Sequence, residues 1–141
     1  MRANTTDFIS QLTEAVNEIL PTYYEEAPVT GSFLLPTDCE EAPVTESFPY
    51  AVIGGINIVS LSDGDLVSFN VDFYGDEKDP GAAVELERLC DMTRNRLDGL
   101  TMHVPGVLGA HIGFENQNSI VEGEHDLIHR RLSMSARIFY V

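Results

Sequence analysis

The sequence holds a single lysine, Lys78, no tryptophan and only two cysteines. Lysine is so scarce that seven of the eight cations are arginine, and they stand against 23 acidic residues for a formal net charge of −15. A surface of that sign repels nucleic acid and anionic membranes at long range, so the basic patch of a DNA- or RNA-binding module is excluded. Cys39 and Cys90 are far apart and form no C-x-x-C, which leaves neither a zinc knuckle nor a redox pair and makes free, reduced thiols the expectation. No apolar run approaches the roughly 18 residues of a membrane span. The opening "MRANTTDFISQLTEA" has polar and acidic residues where a signal peptide carries its apolar stretch, so export by that route is not expected.

Chemistry-bearing motifs are equally sparse. Four histidines occur, His103, His111, His125 and His129, and "EHDLIH" has an H-x-x-x-H spacing that on a helix would align two rings for a metal. His129 begins a strand pattern instead, where four residues span about 13 Å, too far for two ligands of one ion. The acidic clusters "SDGD" and "YGDEKD" lack both the calcium-loop register and its closing glutamate. There is no G-x-S-x-G, no phosphate-cradling glycine loop, and no activating neighbour beside either cysteine. The expectation is therefore no catalytic residues, no metal and no cofactor. If a ligand pocket existed, His111, Asp72 and Arg137 on the polar face of the sheet would be the place for it.

What is present is enough for one domain spanning 1–141: 43% apolar residues with 7 Phe and 5 Tyr. "TTDFISQLTEAVNEIL" puts Phe8, Leu12, Ala15, Val16, Ile19 and Leu20 on one helical face, predicting a helix over 6–20 capped by Thr5 or Thr6. "YAVIGGINIVSLSDGDLVSFNVDFYG" gives two extended runs about a Ser-Asp-Gly-Asp turn, the second alternating Val67, Phe69, Val71 and Phe73 against polar residues. "DPGAAVELERLCDMTRNRLDG" spaces Leu86, Leu89, Cys90, Thr93 and Leu97 by threes and fours, a second helix opened by Asp79-Pro80 and closed by Gly99. "VLGAHIGFENQ" and "IHRRLSMSARIFYV" alternate as half-buried strands. The order αββαββ, with a sheet apolar on one side only, predicts an α+β two-layer sandwich: a mainly antiparallel sheet with two helices on one face and a long Pro-rich loop.

That loop, 21–49, contains five prolines and says the same thing twice: "EEAPVTGSF" at 25–33 returns as "EEAPVTESF" at 40–48. A third copy is lacking, which excludes a solenoid, and the 15-residue period reads as a tandem duplication that lengthened a tolerant loop. An acidic, proline-stiffened arm carrying Phe33, Leu34 and Leu35 is suited to lie along a neighbouring subunit. The last strand gathers His129, Arg130, Arg131 and Arg137 within nine positions of an otherwise acidic chain, a docking row for another acidic surface such as a second copy. Acidity, one lysine and a preference for arginine are also features of halophilic proteins, in which molar salt screens self-repulsion to about 3 Å. The plainer reading is an acidic chain kept soluble by its charge.

The ordered set "FPYAVI", "VSFNVDFYGD", "AAVELERLCDMTRNRLDGL", "GVLGAHIGFENQNSIVEGEHDL" and "HRRLSMSARIFYV" resembles the tail terminator, or tail completion, proteins of long-tailed phages and tailed archaeal viruses. The resemblance covers 48–141 well and 6–20 loosely, and departs from the family in the length of 21–49. It implies a non-enzymatic virion protein, made in the host cytoplasm and sited at the neck or tail top. Six copies would form a ring that terminates the tail tube protein's polymer and meets the head-tail connector or stopper protein. DNA would pass through the channel without specific binding, which suits an acidic wall, and no membrane is involved. A head-tail stopper or adaptor is the alternative of the same kind, and a small ligand-binding α+β domain the alternative of another.

Overall fold

The computed structural model describes residues 5–25, 48–103, 107–121 and 127–140. Two helices, α1 (Thr5–Asn17) and α2 (Ala82–Leu97), accompany six strands: β1 (Thr22–Tyr24), β2 (Tyr50–Ser60), β3 (Gly64–Asp76), β4 (Thr101–Met102), β5 (Val107–Ile120) and β6 (Leu127–Tyr140). They form one sheet in the order β1-β2-β3-β6-β5-β4. The α+β class holds, but the expected four-stranded, mainly antiparallel sheet is corrected to six strands and a mixed sheet, because β1 runs parallel to β2 with Thr22 opposite Ala51. Strand β1 also lies inside the stretch taken as loop, of which 26–47 fall outside the described residues. The first helix stops at Asn17 rather than at residue 20, and the second starts at Ala82, with Gly81 (φ 82°) at its N-cap.

Alternation decides which side chains meet. Val67, Phe69, Val71 and Phe73 of β3 and Leu132, Met134, Ala136 and Ile138 of β6 are buried on one face. Both helices lie over that face: Phe8 of α1 meets the Phe69 ring edge-on at 6.1 Å, and α2 adds Leu86, Leu89, Cys90 and Leu97 to the same core. Full burial of each large apolar side chain contributes about 1.5–3 kcal/mol, so this shared core is the main source of cohesion. Among the described residues no helix is long and apolar enough to cross a membrane.

Two glycines set the shape of the sheet. The β2–β3 register shifts between Gly54 and Asn57, and Gly55 takes the left-handed φ of 63° that a bulge of this kind requires. At the hairpin turn, a Cβ on Gly64 would run into the carbonyl oxygen of Ile138, so only glycine lets β3 begin so close to β6.

Candidate functional site

The face of the sheet away from the helices is the one available for function. Its centre is the outward row of β6, which carries His129, Arg131, Ser133, Ser135 and Arg137, paired across β3 with Tyr74, Asp72, Asn70, Ser68 and Leu66. At the end nearer Leu127 the row is closed. His129 Nε2 lies 2.8 Å from Asp72 Oδ1, and Arg131 donates from Nε to the same oxygen at 2.8 Å. Burial by itself would raise the Asp72 carboxyl, but hydrogen bonds from His129 and Arg131, together with their charge, outweigh it and hold the group below its ordinary value. The bond to Asp72 in turn raises Arg131 above the ordinary arginine value.

Aromatic rings cover this cluster. Tyr74 stacks on the His129 ring at 4.4 Å and Tyr50 on Tyr74 at 5.2 Å, Phe48 lies tilted against Tyr50 at 5.4 Å, and Tyr23 of β1 meets Tyr50 edge-on. Four rings from three stretches of chain, Tyr23, Phe48 with Tyr50, and Tyr74, thus help remove a carboxylate, an imidazole and part of a guanidinium from water. The arrangement binds its own charges and leaves no buried side-chain polar atom without a partner among the described residues.

The row opens at the other end. His111 and Arg137 are cross-strand partners, and His111 Nδ1 sits 3.1 Å from Thr101 Oγ1. Arg137 is half exposed, 4.0 Å from Asp63 and 5.7 Å above the Phe139 ring. Asp72 stands far along the strand opposite Arg131, so the pocket expected from His111, Asp72 and Arg137 is not assembled. Among the described residues no three of His, Cys, Asp and Glu converge as a metal site.

Of the expected docking residues, His129 and Arg131 are engaged by Asp72. Arg130 points to the helix side, where its Nε donates to Glu87 at 2.7 Å, and only Arg137 stands clear of a close partner. Phe33, Leu34 and Leu35, like Cys39 and His125, lie outside the described residues. Cys90 is buried on the inner face of α2, and burial with nearby carboxylates pushes its thiol up to about 12, far from a nucleophile's range.

A second polar cluster, unforeseen from the sequence, ties α2 to the sheet. The Gln117 amide of β5 donates to Glu87 at 2.7 Å and to Asp91 at 3.2 Å, and its oxygen accepts from Arg94 at 3.1 Å. Arg94 also lies 5.2 Å over the Phe114 ring. Nothing in a lone glutamine among "ENQNS" signals such a hub; its partners come from a helix some thirty residues earlier.

Neither protein-family models nor curated proteins match the sequence. The fold is similar to that of a chain in the virion of a native gene transfer agent particle, with a TM-score of 0.63 and 14% identity over 97% of this chain and 95% of that one. At that identity the likeness is one of fold, and it spans both helices and the whole sheet rather than a fragment.

Proposed function

We propose that this protein is a structural component of a tailed virus-like particle: a ring, of six copies, that terminates the tail tube and joins it to the neck. The observation that carries the reading is the end-to-end similarity of fold to a chain of a gene transfer agent virion. The ordered motifs that resemble tail terminator proteins support it. So does the exposed sheet face, whose charged side chains are spent on one another at one end, as in a scaffold, rather than converging on a substrate. The role is non-enzymatic, and the partners are further copies, the tube protein and the head-tail connector.

Deleting the gene and imaging the particles tests this. Tubes of unregulated length, unattached to heads and corrected by added protein, are the expected result; tails of normal length and attachment would overturn it. In intact particles the protein should occupy the tube end in six copies, and three, five or twelve copies there would refute the stoichiometry. A position on the head side of the neck would mark it as a stopper or adaptor instead. With 15 net negative charges per chain, ring closure brings like charges together, so association should strengthen with ionic strength. Light scattering across a salt series checks this, and tighter association in low salt would contradict it.

A further inference from the structure

One row of side chains crosses the outward face of the sheet at its open end. Val59 pairs with Leu66, Leu66 with Arg137, Arg137 with His111, and His111 with Thr101, so five strands each contribute a residue. One step further along β6, Phe139 pairs with Gly64 on one side and Gly109 on the other, and neither has a side chain to flank the ring. Phe139, Gly109, His111 and Thr101 line an open pocket of about 370 Å³. The Arg137 guanidinium stands 5.7 Å over the same ring. The pocket is therefore apolar with a basic rim, in a chain of net charge −15.

Arg137 is also out of pattern. Among the described residues Arg88, Arg94, Arg96, Arg130 and Arg131 each hydrogen-bond an acidic or amide side chain of their own chain. Arg137 makes no hydrogen bond there, and Asp63 approaches it only to 4.0 Å. A guanidinium has five donors to offer, and this one turns them to solvent despite 23 acidic residues in the chain.

The complement of such a pocket is an apolar side chain followed by carboxylates. The chain contains that stretch. Val121, just past the end of β5, is 90% exposed, and Glu122, Glu124 and Asp126 follow it in sequence before β6 begins at Leu127. Val84 of α2 is exposed as well, but the carboxylates after it, Glu85 and Glu87, already accept from Arg88 and Arg130. Val121 cannot fill the pocket of its own chain. Its neighbour Ile120 is level with His129, eight positions along β6 from Arg137, which is about 27 Å at the rise of an antiparallel strand.

We infer that the β5–β6 end of one copy docks in this pocket of the next, with Val121 against the Phe139 ring and the carboxylates that follow it toward Arg137 and His111. The inference rests on the ring reading and deepens it by naming the contact that would build the ring. The two surfaces lie at opposite ends of one chain, so the contact is head-to-tail, the type that generates rings when the rotation closes. Charge and contact then have separate parts. Repulsion between whole copies opposes association at low salt, whereas the apolar anchor persists in molar salt, where screening falls to about 3 Å.

Cross-linking in molar salt tests the contact. In a Cys39→Ser background, Thr101→Cys with Val121→Cys puts one thiol at the pocket and the other on the segment that enters it; the buried Cys90 takes no part. Mild oxidation should give a denaturing-gel ladder of covalent multimers, while each single-cysteine variant should stop at dimers. Val121→Ser should weaken sedimentation-measured association by about tenfold or more. Val84→Ser, the same change at the other exposed valine, should leave it unchanged, and both should melt like the parent. Absence of the ladder, or equal effects of the two serine variants, would overturn the proposal. Rings seen by microscopy without the ladder would also overturn it and leave the ring reading standing. Loss of tube attachment in Arg137→Gln particles without any ladder would assign the pocket to the tube protein and refute the self-contact. A ladder from a protein whose deletion leaves tails unaltered would support the contact and remove the tail reading.

Discussion

Arg131 and Arg137 sit six residues apart in the same outward row of β6 and have opposite fates. Arg131 faces Asp72 on β3, shares it with His129 beneath a stack of rings, and is part of a closed cluster. Arg137 faces Leu66, finds only a distant carboxylate at 4.0 Å, and remains on the surface. The alternation that places both on the open face is identical, and the row alone would make them equivalent. What separates them is the residue opposite, which is a property of register. A charge on a polar strand face is structural or available according to its cross-strand neighbour.

The sharpest way to break this comparison is to remove Asp72. Asp72→Ala leaves a buried imidazole and a guanidinium without their anion, and breaking a buried pair is expected to cost about 3 kcal/mol. Urea unfolding measures it, and a loss no larger than that of Arg137→Ala would show that the closed end is not closed. Next in size is the cover: Tyr74→Leu keeps the bulk but loses two stacked partners, with about 1 kcal/mol expected by the same measurement.

Acid should separate the two ends as well. The Asp72 carboxyl is held below its ordinary value of 3.8, so the stability it lends is fully present above that pH and is lost as pH falls through the lower folded value. Asp72→Asn should therefore lie below the parent at neutral pH and approach it toward pH 2, a convergence that thermal melts at several pH values would reveal. Parallel curves would contradict the assignment. The smallest effect belongs to the open end, where Arg137→Ala should change stability by less than about 0.5 kcal/mol.

How much of this was legible follows from which patterns have a period. Leu86, Leu89, Cys90, Thr93 and Leu97 mark α2 by their spacing, and the Val67–Phe73 alternation marks β3, because each element writes its own repeat into the chain. Strands of three and two residues are too short to write one, so β1 and β4 went unseen, and with them the parallel pairing that makes the sheet mixed. Asp72 and His129 are 57 residues apart, and nothing local says that they are hydrogen-bonded partners. The sequence placed Asp72 with His111 and Arg137 by face alone, and register moved it to the other end. Gln117 escaped for the same reason, its partners lying on α2, with β4 between them in the chain.

Cys90 lends itself to a clock. Its thiol is fully buried between α2, which carries it, and the sheet, and is pushed up to about 12 by that burial, so an alkylating reagent at neutral pH finds almost no thiolate to attack while the domain is closed. Modification must wait for the helix to lift from the sheet. In a Cys39→Ser background the labelling half-life would read out how often each copy opens, and comparing free with assembled protein would tell how much longer a subunit stays shut once it has neighbours.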